Sequence, residues 1–343
     1  MKQGVKTRSG YLVAVGFALA LAGGSASAQT NIKFTLDFSL QGSHSPFFLA
    51  EERGYYKAEG VKVTAIDTAR GAGDAVVRVA TGTYDVGFGD INSLIEFNAR
   101  NPGKEIPAVL IVYDRAPMSI VTLKASGINK PADLVGKKAA APNFDASFRM
   151  FNMFAKMNGF DPGKVSWSNI SPQLREPMLA RGETDAISGF SFGAVLALRS
   201  LGVPDSKLNI MMYSDYGLDL YSNAIVVSPI FLKSNPKAVA GFVKAVVRGW
   251  KEAISDPKAS IAALKNRDPL IDGTLELDRL NVIIRDFVLT DWVRRNGMGG
   301  VDPIRLKKNI ELVTDGLGLP RVVPPEQVFD GGFMPPASDR KLM

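Results

Sequence analysis

The residues best placed to do chemistry sit in one short stretch. Leu36-Asp37-Phe38 is followed by Ser39, Leu40, Gln41, Gly42, Ser43, His44, Ser45, Pro46 and Phe47. It carries an acid, several aromatic rings and the only histidine of the chain. A flat ring can stack on Phe38 while Asp37 or His44 reads its edge. Four glycine-containing or polar loops open helices further on: residues 68–74 with Gly71, 87–92 with Asp90, 142–147 with Asn143 and Asp145, and 189–192 with Phe190. Helix starts present free N–H groups to ligand oxygens, and glycine lets backbone approach closely. Asp74, Asp90 and Asp145 are each, taken singly, ordinary helix caps. Their placement in loops of both halves of the chain points to a shared ligand. With Tyr221, near the return between the halves, the candidate ligand set is Asp37, Phe38, His44, Gly71, Asp90, Asn143, Asp145, Phe190 and Tyr221. Arg70, Arg115, Arg149 and Arg175 are candidates for pairing with an anion, and none stands out.

Other chemistries find little support. The chain has no Cys, which removes thiol catalysis and cysteine metal sites. One His and scattered acids do not make a metal site. Gly189-Phe190-Ser191-Phe192-Gly193 fits Gly-x-Ser-x-Gly in letters only. Ser43 and Ser45 flank His44 without a further element of a triad. No catalytic residue, metal or cofactor is expected. The formal net charge is +7, of which Lys2, Lys6 and Arg8 supply three, leaving +4 on the rest. Those basic residues are scattered and form no stripe with interleaved aromatics, so no nucleic-acid partner is expected.

The elements that must position these residues follow from pattern. Residues 1–28 read as a signal peptide: a basic start, an apolar run over 11–21, and Ala26-Ser27-Ala28 before a mature start at Gln29. The expected location is the periplasm. Beyond it, short apolar strands alternate with helical segments, the signature of an α/β chain with mostly parallel strands. Ile32, Phe34, Leu36 and Phe38 alternate as the first strand. An internal echo is the most informative feature. Ala80-Thr81-Gly82-Thr83-Tyr84-Asp85-Val86 is matched by Ala180-Arg181-Gly182-Glu183-Thr184-Asp185-Ala186. In both, a helix ends on a glycine and a strand begins after Asp. We therefore expect two lobes: residues 29–116 and 223–343 in the first, with the C-terminal helices, and 117–222 inserted as the second. Two crossings then form a hinge that lets the lobes close on a ligand. In the last third, Asn235 is the expected cap and Pro236 the first residue of a helix whose Val239, Phe242, Val243, Val246 and Trp250 share a face.

Several stretches carry a family resemblance. Phe34-Thr35-Leu36-Asp37-Phe38, Ser43-His44-Ser45-Pro46-Phe47-Phe48-Leu49-Ala50 and Arg53-Gly54-Tyr55-Tyr56-Lys57-Ala58-Glu59-Gly60-Val61 resemble the opening of the SsuA/THI5-like (NMT1-like) solute-binding family. Asp85-Val86-Gly87-Phe88-Gly89-Asp90 and Gly299-Gly300-Val301-Asp302 extend the likeness. The resemblance implies a type II periplasmic-binding fold, a small-molecule ligand, and an ABC permease in the inner membrane as partner, with the binder expected as a monomer. Members of that family bind thiamine-pyrimidine precursors, alkanesulfonates, taurine or nitrate. Pyrimidine binders typically carry Leu-Asp-Trp-x-Pro-Asn and a His soon after. This chain keeps Leu36, Asp37 and His44, has Phe38 for the Trp, and has Leu40 and Gln41 in place of Pro-Asn. A heteroaromatic such as a thiamine-pyrimidine precursor is the expected ligand, with a sulfonate, taurine or nitrate as the alternative. Fungal relatives on this fold are pyrimidine-synthesis enzymes with a cysteine-rich iron motif. A chain without Cys cannot build that motif.

Overall fold

The computed structural model describes residues 1–4 and 29–342, so the expected signal peptide lies almost wholly outside the described residues. Ten strands run in chain order: β1 (Thr30–Thr35), β2 (Val61–Asp67), β3 (Val86–Asp90), β4 (Ala108–Ile111), β5 (Met118–Leu123), β6 (Lys138–Ala141), β7 (Ser166–Asn169), β8 (Ala186–Phe190), β9 (Leu208–Met212) and β10 (Asn223–Val227). They form two five-stranded sheets, ordered β2-β1-β3-β10-β4 and β7-β6-β8-β5-β9.

The two sheets repeat one plan. β1 lies parallel to β2 and β3, as β6 does to β7 and β8. The echoed aspartates do the same work in each. Asp85 accepts the Lys33 N–H on β1 at 2.8 Å, and Asp185 accepts the Lys138 N–H on β6 at 2.8 Å. The preceding Gly82 and Gly182 have φ of 75° and 72°, left-handed values that favour glycine.

The strands are mostly parallel, as expected, with one strand reversed in each sheet. β10 runs antiparallel to β3 and β4, and β5 antiparallel to β8 and β9. The cause is the crossings. The carboxyl ends of the parallel strands face the other lobe, so a strand arriving from that lobe begins at this edge and must run the other way. Hence Asn223, first in β10, pairs with Asp90, last in β3, and Met118, first in β5, pairs with Phe190, last in β8. The chain makes the two crossings between β4 and β5 and between β9 and β10.

The first strand ends at Thr35 instead of Phe38, so Asp37 and Phe38 turn out of the sheet at its carboxyl edge. The helix Pro236–Ser255 covers this sheet with Val239, Phe242, Val243, Val246 and Trp250, all buried. Phe34 meets Phe47 and Phe242 edge-on at 5.1 and 5.2 Å between centroids. Asn235 stands at the start of that helix but makes no capping hydrogen bond through its side chain. Among the described residues no helix is long and apolar enough to cross a membrane.

Candidate ligand-binding cleft

The carboxyl edges of the two sheets face each other across a narrow cavity of about 30 Å³. Strand ends of this kind leave loops and helix starts where ligands bind in α/β sheets. The first lobe contributes Asp37, Phe38, Gln41 and Gly71, and the second contributes Asp145, Arg175, Phe190 and Phe192.

Asp37 is held from two sides. Its Oδ1 lies 2.6 Å from Nε2 of His44, and its Oδ2 accepts from the Asn223 side-chain amide at 2.6 Å. Nδ1 of His44 accepts the Gln41 N–H at 3.3 Å. The hydrogen bonds therefore assign the ring proton to Nε2, which donates to Asp37. His44 is fully buried and stands behind Asp37 instead of lining the cavity.

In the second lobe, Asp145 caps the short helix Ala146–Arg149 by accepting the Phe148 N–H at 2.9 Å and also accepts from Ser188 Oγ at 3.0 Å. Burial pushes its carboxyl above the ordinary carboxylate range, against the pull of Arg175. Arg175 is buried too. Its Nη2 lies 2.6 Å from Glu176 and its Nη1 3.4 Å from Asp145, and the guanidinium rests over the Phe38 ring at 5.5 Å. Burial works against the charge, but Glu176 and Asp145 outweigh it and raise its pKa further. Gly189 makes room for this group, because a Cβ there would overlap the guanidinium.

Of the nine residues proposed from sequence, Asp37, Phe38, Gly71, Asp145 and Phe190 line the cavity. Four do not. His44 stands behind Asp37 and is bonded to it. Asp90 is fully buried and caps the helix Ile91–Arg100, accepting the Ser93 N–H at 2.8 Å, its Oγ at 3.0 Å and the Asn92 amide at 3.0 Å. Asn143 is exposed, with its N–H bonded to Asn169 at 3.1 Å. Tyr221 lies on the crossing between β9 and β10. Its hydroxyl accepts the Asp302 N–H at 2.9 Å and its ring lies under Arg305 at 4.0 Å, while Asn92 and Asn309 hold its main chain. Gly71 faces the opposite lobe: a Cβ there would overlap the Phe144 carbonyl oxygen.

Sequence left Arg175 undistinguished among four arginines and missed Gln41 and Asn223. The partners of Arg175 and Asn223 come from far along the chain or from the fold itself. Among the described residues, no group of three or more His, Cys, Asp or Glu is placed to hold a metal ion.

A family model described as "NMT1/THI5 like" matches residues 41–260. The chain belongs to the NMT1/THI5-like family. This NMT1/THI5-like chain is 25% identical over 219 residues to the riboflavin-binding protein RibY of Chloroflexus aurantiacus, covering 62% of this chain and 59% of that one. It is 23% identical over 243 residues to the 4-amino-5-hydroxymethyl-2-methylpyrimidine phosphate synthase of Legionella pneumophila, covering 71% and 75% of the two chains. In solved structures, the alkanesulfonate-binding protein SsuA of Xanthomonas axonopodis pv. citri, bound to MOPS, superposes with a TM-score of 0.64 at 14% identity, over 90% of this chain and 99% of that one. The fold is the two-lobed α/β fold of periplasmic binding proteins.

Proposed function

We propose that this NMT1/THI5-like chain is an extracytoplasmic solute-binding protein that captures a flat heteroaromatic molecule bearing N–H donors. It delivers that molecule to an ABC permease in the inner membrane. The observation that carries this reading is the charge of the cleft. Two carboxylates, Asp37 and Asp145, line it against one guanidinium, Arg175, which is already paired with Glu176 and Asp145. An anion would meet two carboxyl groups and would have to draw Arg175 away from buried partners. A ring with amino or ring N–H groups meets acceptors instead. Phe38 from one lobe and Phe190 and Phe192 from the other supply apolar faces for it. The pyrimidine in the name of one relative and the riboflavin in that of another support a heteroaromatic ligand.

The synthase name among the relatives raises an enzymatic reading, which the site does not favour. Both ring nitrogens of His44 are engaged, by Gln41 and Asp37, so the only His of the chain has none left for Ser191 or for a substrate. We propose a binding role for the cleft, with Asp37, Phe38, Asp145 and Phe190 as ligand contacts. Export through the N-terminal signal peptide, and action as a monomer, belong to the same proposal.

The test is a thermal-shift series on refolded, ligand-stripped protein with 4-amino-5-hydroxymethyl-2-methylpyrimidine, riboflavin, taurine, an alkanesulfonate and nitrate. A ligand at about 100 times its Kd stabilises by about 2.7 kcal/mol. A shift with the pyrimidine supports the reading. A shift confined to the sulfonate, taurine or nitrate overturns it.

A further inference from the structure

The helix Gly273–Ile283, in the last third of the chain, buries two opposite charges, Glu276 and Arg279. Removing two such groups from water is costly, and an ion pair in that setting is poor evidence of a gain in stability. What the pair touches is more telling. Nε and Nη2 of Arg279 donate to the two oxygens of Glu276 at 2.8 and 3.2 Å, a fork that fixes the guanidinium in one plane. Oε2 of Glu276 also accepts the Gly42 N–H, at the start of the short turn Gly42–His44. That turn is pressed on the helix so closely that a Cβ on Gly42 would overlap the Glu276 carbonyl oxygen. The turn ends in His44, the residue that holds Asp37.

The remaining nitrogen of Arg279 reaches the other lobe. Nη1 donates to the carbonyl oxygens of Phe192 at 3.1 Å and Gly193 at 3.3 Å, in the first turn of the helix Ser191–Ser200. Phe192 and Gly193 both line the cavity. A continuous set of contacts therefore runs from Asp37 through His44, its turn, Glu276 and Arg279 to the opposite wall of the same cleft. Within this set, parting the lobes breaks only the two bonds to Phe192 and Gly193.

We propose that Arg279 is a positioning residue that holds the closed cleft shut, with Glu276 orienting it against the turn that carries His44. It touches no ligand. Its effect falls on the closed population and on how long a ligand stays. This rests on the solute-binding reading above, and the experiment separates the two.

The chain has no Cys, so thiols introduced at exposed Leu270 and Lys164, one in each lobe, can be spin-labelled cleanly. Label–label distances are measured by pulsed electron resonance, with and without 4-amino-5-hydroxymethyl-2-methylpyrimidine, beside the dissociation rate of that pyrimidine. Arg279→Gln is expected to deplete the closed-cleft distance and to speed dissociation about tenfold, with association little changed. Arg279→Lys, which keeps the charge and loses the fork, is expected to restore part of both. Phe38→Ala is expected to weaken binding without changing the distances in free protein. A folded Arg279→Gln protein with the wild-type distances overturns the proposal. Where Arg279→Gln does not fold, Glu276→Gln decides the matter by the same two readouts. If wild type does not bind the pyrimidine, that reading of the ligand falls, while the distances in free protein still decide the role of Arg279.

Discussion

Nε2 of His44 lies 2.6 Å from Oδ1 of Asp37, with both side chains buried. With Asn223 on the other oxygen, the carboxylate is fixed before any ligand arrives. Such preorganisation lets a ligand N–H bond without an ordering cost. Asp37→Ala is expected to weaken pyrimidine binding at least tenfold, about 1.4 kcal/mol. His44→Gln is expected to cost less, because His44 acts through Asp37. Isothermal titration of both variants checks the order. An Asp37→Ala protein with wild-type affinity removes Asp37 from the ligand contacts.

Phe38 presents one face of its ring near the Arg175 guanidinium and lines the cavity opposite Phe190 and Phe192. If it stacks on the ligand, what it must supply is a flat apolar face. Phe38→Ala is expected to lower affinity about tenfold, or 1.4 kcal/mol. Phe38→Trp, which keeps and enlarges that face, is expected to retain binding. Equal affinity for all three proteins removes stacking from the account.

Gly71 stands against the Phe144 carbonyl of the other lobe, and the neighbouring Gly73 N–H donates to the same oxygen at 3.2 Å. The three atoms that a methyl group at residue 71 would meet first all belong to the other lobe, so it obstructs closure. Gly71→Ala is thus expected to leave the melting temperature of free protein within a degree or two. It should lower affinity at least about tenfold, near 1.4 kcal/mol, and enlarge the radius of gyration of the ligand-saturated protein in solution scattering. A drop in the melting temperature of free protein with unchanged affinity would place the role of Gly71 in folding.

The parts of this molecule that local pattern governs were readable from the sequence. The echo around Asp85 and Asp185 marked two sheets of one plan, because the same Gly–x–x–Asp turn needs the same left-handed residue and the same strand partner each time. The loops carrying Asp37, Gly71, Asp145 and Phe190 were readable because strands end where helices begin. What depended on partners far along the chain was not. Asn223 reaches Asp37 across 186 residues, and Arg175 stands out from Arg70, Arg115 and Arg149 only once Asp145 is beside it. Tyr221 and Asp90 belonged to loops of the right kind. Their polar groups were claimed by Asp302 in one case and by Ser93 and Asn92 in the other, contacts that no spacing announces.

The start of the helix Ala72–Ala80 offers a test in pH. Asp74 is buried there and receives Nη2 of Arg70 at 2.9 Å and Nε of Arg78 at 3.2 Å. Burial alone would raise its pKa. The hydrogen bonds from Arg70 and the charge of Arg78 outweigh that and bring it below the ordinary value. A carboxyl whose folded pKa is depressed adds stability above its unfolded pKa, about 3.9, and loses it as pH falls through the folded value. Asp74→Asn is therefore expected to lower stability by roughly 1–3 kcal/mol at pH 7, the scale of hydrogen bonds to a charged group. The deficit should shrink as pH falls below about 4. Urea unfolding of both proteins at pH 7 and near pH 3 measures it. Asn can still cap a helix, so a deficit equal at the two pH values assigns the loss to packing and removes the charge of Asp74 from the stability of this turn.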